Sequence, residues 1–437
     1  MGYWYGSGRW SLIAASTMIL GGCMGQDGGD GGIVSRFAMK SPEQHTPTAA
    51  EKEAAASVVI QQLQARRSAL TPGGSYDRVA TAVLAANNRT AEAELRAARL
   101  RAEAASKNWL PKIGPSISLT SLSDLVTNLI VEQVLFDHGR LKAERAFAKA
   151  DVEVAAVGLA DDTNERVFTA LGLYLDVIEG RERAALHART LKDMSQFEWV
   201  MAERVRGGVS DRSDLSVLAQ KLGEIRSSLT SSQESAAAAL AELNAMSAKP
   251  LDDVTGLSDV NVGAKDAKPL SVLRAEAEMD RSIAEARVNR AGLLPGVTAS
   301  GTVGDNNSGG INVGGDLIGL GTGASLKAIE MEKETASRRV GQAQEDADRA
   351  LGRLEQRAKA LTRQVAEAGT LTAQAKANLD LFQEQYEAGQ RQVMDVVGVY
   401  ETFAARETAR VGLKYELGKT RLEMARLLGL LADGSQI

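Results

Sequence analysis

The stretch "QYEAGQRQVMDV", from Gln385 to Val396, places a glycine, Gly389, inside a segment of otherwise helical composition. Glycine in a helix interior costs about 1 kcal/mol relative to alanine, and it commonly takes the left-handed conformation that ends a helix. No proline occurs between Gly296 and Ile437, and Ala, Glu, Gln, Arg and Leu dominate both sides of Gly389. The stretch therefore predicts a turn between two long helices.

The same signal occurs earlier in the chain, in "RVRGGVSDRSDL" at residues 204–215. The two stretches align with an offset of 181 residues, so that Gly208 matches Gly389 and Asp214 matches Asp395. In both, the aspartate follows the glycine by six residues. This earlier stretch therefore predicts a second turn of the same kind.

A second pair of landmarks repeats at nearly the same spacing. "WLPKI" at residues 109–113 matches "LLPGV" at residues 293–297 with an offset of 184. Because both landmark sets recur in the same order, we predict an internal duplication. The predicted organisation is a signal peptide at residues 1–22, an N-terminal tether at 23–72, a first repeat at 73–250, a linker at 251–270 and a second repeat at 271–432.

Proline positions and helix lengths predict long, uninterrupted helices. All eight prolines lie outside two segments that begin near Gly139 and Gly323 and end at the two glycine turns. Each segment has enough residues for about 100 Å of helix, well beyond a compact domain. Each return helix is shorter, and a further helical segment before each proline landmark supplies the remaining length. Each repeat is therefore expected to contain one continuous and one broken helical strut.

Period-two patterns predict strands between each proline landmark and the following long helix. "IGPSISLT" and "GVTASGTV" alternate apolar with polar or small residues, and "INVGGDL" alternates again after a turn-like segment. "DLVTNLIVEQVLF" is the matching partner strand in the first repeat. We expect strand pairs at about 112–136 and 295–320. Strands of about ten residues with one apolar face occur in outer-membrane barrels, and a small soluble hairpin remains the alternative.

The N-terminus resembles the lipobox of bacterial lipoproteins. An apolar stretch follows Arg9 and ends in Leu20, two glycines and Cys23, the only cysteine of the chain. The apolar run is too short to span a bilayer. The resemblance implies cleavage before Cys23, attachment of lipid, including palmitate, to that cysteine, and sorting to the outer membrane, because Met24 follows the cysteine where an aspartate would favour retention at the inner membrane.

Enzyme, metal and nucleic-acid functions are disfavoured. His45, His138 and His187 lie far apart without ligand spacing, so no metal or other cofactor is predicted. "GLGTGAS" at residues 319–325 lacks the lysine of a phosphate-binding loop. The net charge of −5 argues against a nucleic-acid partner.

Lipobox, repeats, strand pairs and glycine turns together resemble the TolC family of outer-membrane channels over residues 70 to 432. The resemblance implies a mainly α fold with a small β part. In the family, long coiled-coil-like hairpins form a trimeric α-barrel in the periplasm, topped by a twelve-stranded β-barrel with four strands per subunit. It also implies a passive duct for efflux or type I secretion, with a periplasmic adaptor and an inner-membrane pump or ABC transporter as partners. The alternative is a coiled-coil envelope lipoprotein without a pore.

The resemblance also assigns roles at the two turns, around residues 204–215 and 385–396. It places both turns at the periplasmic tip, where the pore narrows. The turn and adaptor-contact residues are then Gly208, Val209, Gly389 and Gln390. The candidate pore-closing residues are Ser213, Asp214, Tyr386, Arg391 and Asp395.

Overall fold

The computed structural model describes residues 57–86, 90–121, 124–262, 267–304, 307–314, 319 and 321–436. The signal peptide and Cys23 lie outside these residues. The predicted mainly α fold with a small β part is confirmed. Its elements are α1 (Val58–Gln64), α2 (Ser75–Ala85), α3 (Thr90–Ser106), β1 (Lys112–Ser121), β2 (Asp124–Phe136), α4 (Arg140–Arg206), α5 (Arg212–Met246), α6 (Leu270–Gly292), β3 (Gly296–Gly304), β4 (Ser308–Gly314), α7 (Thr322–Glu387), α8 (Val393–Leu427) and a 3-10 turn (Gly434–Gln436).

The two long helices have the lengths that the sequence predicts. Helix α4 has 67 residues and α7 has 66, so each is about 100 Å long. Helices α5 and α8 have 35 residues each and run back along them. None of the helices in the described part of the chain combines the length and the apolar character needed to cross a membrane.

Apolar packing is distributed along α4 rather than gathered in one core. One cluster joins α1, α3 and α6 to the first half of α4, around Leu63, Val157 and Leu273. A second surrounds Leu171 and Leu175 at the middle of α4, and a third lies at the glycine turns. Small and aliphatic side chains therefore hold the helices side by side over a long distance.

The four described strands form one antiparallel sheet in the order β1-β2-β3-β4. The β2–β3 pairing joins strands far apart in sequence, with Leu129 opposite Val303. Pro115 lies in β1, an edge strand, where a missing N–H is tolerated. Among the described strands, β1 and β4 each leave one edge without a partner strand.

A polar junction links the segment that follows α8 to the segment that follows α1 and to α4. Arg66 is buried and donates to the carbonyl oxygens of Leu428 at 2.5 Å and Lys268 at 2.6 Å. Burial lowers the pKa of Arg66 to about 10. The amide oxygen of Asn164 accepts from the N–H of Leu431 at 2.8 Å. The bonds to Leu428 and Leu431 satisfy backbone groups just beyond α8, and the bond to Lys268 satisfies a carbonyl just before α6.

Candidate channel elements: the sheet and the helix turns

The sheet has one apolar face, and that face is exposed. Leu129, Val303, Ile311 and Val313 share it, with exposed fractions between 44% and 74%. No helix of the described chain packs over the sheet to an extent comparable with the strand pairings. An uncovered apolar sheet face requires another apolar environment, because exposed patches of this kind mark membrane or protein contacts.

The opposite face of the sheet is polar. The Nδ2 of Asn312 donates to the Oγ of Ser300 at 2.8 Å, and the hydroxyls of Thr302 and Ser308 are 2.8 Å apart. Glu132, the acidic residue in the middle of β2, lies on this face directly opposite Lys112. The charge of Glu132 therefore lies on the polar face of the sheet and does not interrupt the apolar face.

Both glycine turns have the same backbone geometry. Gly208 and Gly389 have φ values of 74° and 75°, the left-handed conformation expected from the sequence. In the first turn, the N–H of Val209 donates to the carbonyl of Arg204 at 2.8 Å. In the second, the N–H of Gln390 donates to the carbonyl of Gln385 at 2.8 Å. These six-residue closures, with an inner bond from each glycine N–H, are Schellman motifs that satisfy the last carbonyls of α4 and α7.

The glycine-to-aspartate spacing, which is the same in both turns, has a structural reason. Asp395 is the third residue of α8 and accepts a bond from the N–H of Gln392 at 3.2 Å, which completes a capping box. In the first turn, Asp211 is the N-cap of α5, and its carboxylate accepts from the N–H of Ser213 at 3.2 Å. Asp214 has the position of Asp395, in the first turn of α5, where the helix dipole favours a negative charge.

The two turns lie together at one end of the helices. An apolar cluster around Met201, Leu218, Leu379, Val393 and Val397 joins all four helix ends, with Val205 and Tyr386 packed against it. Outside this cluster, Val209 and Gln390 are exposed, Val209 at 69%. The structure therefore brings the predicted tip residues into one surface.

The candidate pore-closing residues form no hydrogen bond or ion pair with one another within the described chain. Arg391 donates from Nε to the Oε1 of Gln385 at 3.0 Å, and its guanidinium lies 4.4 Å from the centre of the Phe382 ring. Ser213 is exposed and Asp214 is half-buried. No hydrogen bond or ion pair joins Asp214 to Arg391 within the described chain.

A series of polar contacts between α4 and α8 was not found from the sequence. The hydroxyl of Tyr400 donates to Asp193 at 2.6 Å, and Lys419 donates to Asp176 at 2.6 Å. Between them, Glu182 accepts from Lys414 at 2.8 Å and from the Tyr415 hydroxyl at 2.6 Å. We call this series the α4–α8 ladder; its acidic members are Asp176, Glu182 and Asp193, and their partners are Lys419, Lys414, Tyr415 and Tyr400.

Hydrogen bonding and burial shift two pKa values at the centre of the ladder in opposite directions. Burial alone would raise the pKa of Glu182, but the hydrogen bonds from Lys414 and Tyr415 and nearby positive charge outweigh it and lower that pKa. Burial, followed by the hydrogen bond to Glu182, raises the pKa of Tyr415. Glu182 is therefore held ionised and Tyr415 is held neutral at neutral pH.

Two exposed aromatic residues were also missed as a group. Trp109 and Phe136 lie at the end of the sheet nearest the helices and are 57% and 54% exposed. The Nε2 of Gln133, near the end of β2, donates to the carbonyl oxygen of Trp109 at 3.0 Å, which links that residue to the strand. The sequence places them on different strands or loops, so only the pairing of β1 with β2 shows that they share one level. In the described chain, no cluster of His, Cys, Asp or Glu is arranged to hold a metal ion.

No family model and no curated protein sequence matches the chain. Its fold is similar to that of a membrane protein from Pseudomonas aeruginosa, with a TM-score of 0.72 and 16% identity over 84% of this chain and 92% of that one. The outer-membrane channel OprN gives a TM-score of 0.70 and 16% identity over 84% and 93%. The CmeC outer membrane channel of Campylobacter jejuni gives 0.69 and 13% over 86% and 92%. The chain therefore has the fold of outer-membrane channels, which confirms the resemblance at the level of the fold.

Proposed function

We propose that this chain is a TolC-family outer-membrane channel, a subunit of a passive export duct rather than an enzyme. The observation that carries this proposal is the sheet with an exposed apolar face and a polar opposite face, joined directly to helices of about 100 Å. The apolar face contacts lipid, and the polar face lines a water-filled passage. The long helices continue that passage across the periplasm.

The free sheet edges support a closed oligomer. In a homotrimer, β1 of one subunit pairs with β4 of the next, so that four strands from each of three subunits close a twelve-stranded barrel. Closure removes both unpaired edges, which are otherwise sites of uncontrolled association. It also satisfies the backbone groups that lipid cannot satisfy.

The turn surface is the proposed docking site for the rest of the export system. A periplasmic adaptor binds at Val209 and Gln390, which are exposed beside their glycines. An inner-membrane pump or an ABC transporter delivers the substrate, as in tripartite efflux or type I secretion. Asp214 and Arg391 of neighbouring subunits hold the tip closed through charge-assisted hydrogen bonds.

A lipid anchor completes the proposed location in the outer membrane. Cys23 carries the lipid after removal of residues 1–22, and the residues that follow lead to Ser57, which is the N-cap of α1. The anchor holds the chain at the membrane and leaves the sheet free to insert.

The proposal is tested by single-channel conductance in planar lipid bilayers. We expect the purified protein to form pores, and Ile311→Lys to abolish them, because a lysine on the lipid-facing side costs about 2–4 kcal/mol near the bilayer midplane. Asn312→Lys is the matched control, since Asn312 is adjacent in β4 but lies on the polar face. This control should still form pores, with altered ion selectivity.

Absence of pores from the folded wild-type protein would support the envelope lipoprotein without a channel. Equal behaviour of the Ile311→Lys and Asn312→Lys variants would refute the assignment of the two sheet faces.

A further inference from the structure

A basic cavity lies at the junction between the sheet and the helices. Its volume is about 510 Å³, and it is formed where α4 begins, where α6 ends and beside the early part of α7. Its charged or titratable lining residues are all basic, and its other lining residues are glycine, alanine and leucine. The basic residues are His138, Lys142, Arg287, Arg290 and Lys333.

The cations of this cavity have no partner in the described part of the chain. Lys142, Arg287, Arg290 and Lys333 form no ion pair or side-chain hydrogen bond there, in contrast to the cations of the α4–α8 ladder. Like charges placed together repel one another, so the arrangement costs stability unless an anion is supplied. The cavity therefore fits an anionic ligand from outside the chain.

Exposed apolar side chains lie at the end of the sheet from which the chain enters α4, where the cavity begins. Trp109, Leu110, Leu135 and Phe136 are between 44% and 57% exposed, and we call these four the apolar collar. The ring of Phe136 packs edge-on against the ring of His138, with centroids 4.6 Å apart, which connects the collar to the cavity. Exposed aromatic side chains at one end of a membrane-inserted segment, like Trp109 and Phe136 here, are typical of membrane–water interfaces.

We propose that the basic cavity binds the phosphate headgroup of an anionic glycerophospholipid, with its acyl chains against the apolar collar. The inference rests on the proposed function, which places the sheet in the outer membrane and this junction at the periplasmic leaflet. Arginine suits the role because its guanidinium can donate two parallel bonds to phosphate oxygens. Basic clusters and pockets at a membrane surface attract anionic lipid headgroups by the same electrostatics.

The combination of charge and apolar surface distinguishes a lipid from a free phosphate ion. A free ion contacts only Lys142, Arg287, Arg290 and Lys333 and leaves the collar in water. A phospholipid covers both surfaces at once. The charged lining residues of the neighbouring groove are Lys142, Arg145, Lys149 and Glu153, so cations outnumber the one carboxylate along α4 and a headgroup with more than one phosphate also fits.

The test is titration of the detergent-extracted protein with lipid, read by native mass spectrometry. Phosphatidylglycerol is the probe, phosphatidylcholine with identical tails is the zwitterionic control, and inorganic phosphate is the competitor. We expect phosphatidylglycerol to bind at least about tenfold more tightly than phosphatidylcholine. Arg287→Gln combined with Arg290→Gln should weaken it by about 25-fold, roughly fivefold for each charge.

The matched control combines Arg226→Gln with Arg363→Gln, which removes two exposed arginines from α5 and α7 away from the cavity. It should bind phosphatidylglycerol like the wild type. Unchanged binding in the Arg287/Arg290 variant would overturn the inference. Displacement of the lipid by millimolar phosphate would show a free-phosphate site, and a changed mass of the assembled oligomer without a change in lipid affinity would show an interface between copies; both results also overturn it.

Conductance of the same samples separates this inference from the proposed function. If pores form and phosphatidylglycerol binds no better than phosphatidylcholine, the lipid site is wrong and the channel stands. If the wild-type protein binds phosphatidylglycerol selectively but forms no pore, the channel function is wrong and the binding site stands.

Discussion

At the scale of single residues, each turn depends on a glycine that ends one helix and on an aspartate that caps the start of the next helix. Gly389 ends α7 in the left-handed conformation, and Asp395 starts α8 by accepting a bond from the N–H of Gln392. Gly208 and Asp211 do the same between α4 and α5. The reversal of chain direction between two helices therefore depends on a few local hydrogen bonds. This is why short sequence stretches were sufficient to predict both turns.

We predict that Gly389→Ala destabilises the protein, because a side chain in the left-handed conformation costs about 1–2 kcal/mol. The measurement is thermal unfolding followed by circular dichroism. The control is Gly341→Ala, within α7, where a Cβ meets nothing within 4 Å. There alanine should stabilise the helix by about 0.5–1 kcal/mol. Destabilisation of similar size by both substitutions would contradict the assignment of Gly389 to the turn.

The proposed closure of the tip also depends on single residues. Because no hydrogen bond or ion pair joins Arg391 to Asp214 within the described chain, and Arg391 instead donates to Gln385, we assign the closing contact to Asp214 of a neighbouring subunit. We predict that Asp214→Ala and Arg391→Ala each raise the single-channel conductance of the trimer with little change in melting temperature. Arg212→Ala, which removes another exposed tip charge, should leave conductance unchanged. Unaltered conductance in the Asp214→Ala/Arg391→Ala double variant would leave these residues without a closing role.

At the scale of elements, α4 and α8 are joined by both apolar packing and the α4–α8 ladder. The ladder was not predictable, because acidic and basic residues are common on long helices and their pairing depends on the register of α8 against α4. The β2–β3 pairing could not be predicted for a similar reason. Alternation of apolar and polar residues locates strands but does not indicate which strands are neighbours in the sheet. Helix lengths and glycine turns are local properties of the chain, and the sequence predicted both of them well.

We predict that the ladder makes stability depend on pH through Glu182. Its pKa is lowered in the folded protein, so its contribution is complete above its ordinary value of 4.5 and is lost as the pH falls through the lowered pKa. Glu182→Gln should therefore lower the melting temperature at pH 7, and the difference from wild type should shrink below about pH 4.5.

Melting temperatures of both proteins between pH 7 and pH 3 provide the measurement. Glu334→Gln is the control, because Glu334 forms an exposed pair with Arg338 on one helix and such pairs contribute little. A Glu182→Gln deficit that stays constant over the whole range would rule out ionisation of Glu182 as its source.

At the scale of the whole molecule, the described chain exposes several surfaces that favour association with other subunits or with lipid. The apolar face of the sheet, its two unpaired edges and the absence of a single compact core all leave surface that one chain does not cover. The sequence predicted the mainly α fold, but it did not show that the apolar positions of β2, β3 and β4 share one exposed face. That arrangement follows from strand register, which no single strand encodes.

We predict that the detergent-extracted protein is a trimer. Multi-angle light scattering, corrected for bound detergent, should give three times the mass of one chain. Ile311→Lys, which affects the lipid-facing side and not the edge backbone, should keep this mass. A monodisperse monomer with full helical content would contradict the closure of β1 against β4.

The contact between Arg66 and Leu428 has a consequence for the order in which the chain is made. The two residues are separated by 362 positions, and ribosomes add about 5–20 residues per second, so Leu428 is synthesised roughly 20 to 70 s after Arg66. Until then the guanidinium of Arg66 lacks the carbonyl of Leu428 that it binds in the finished molecule. The packing around Arg66 therefore cannot be completed until Leu428 has been synthesised and has emerged from the ribosome.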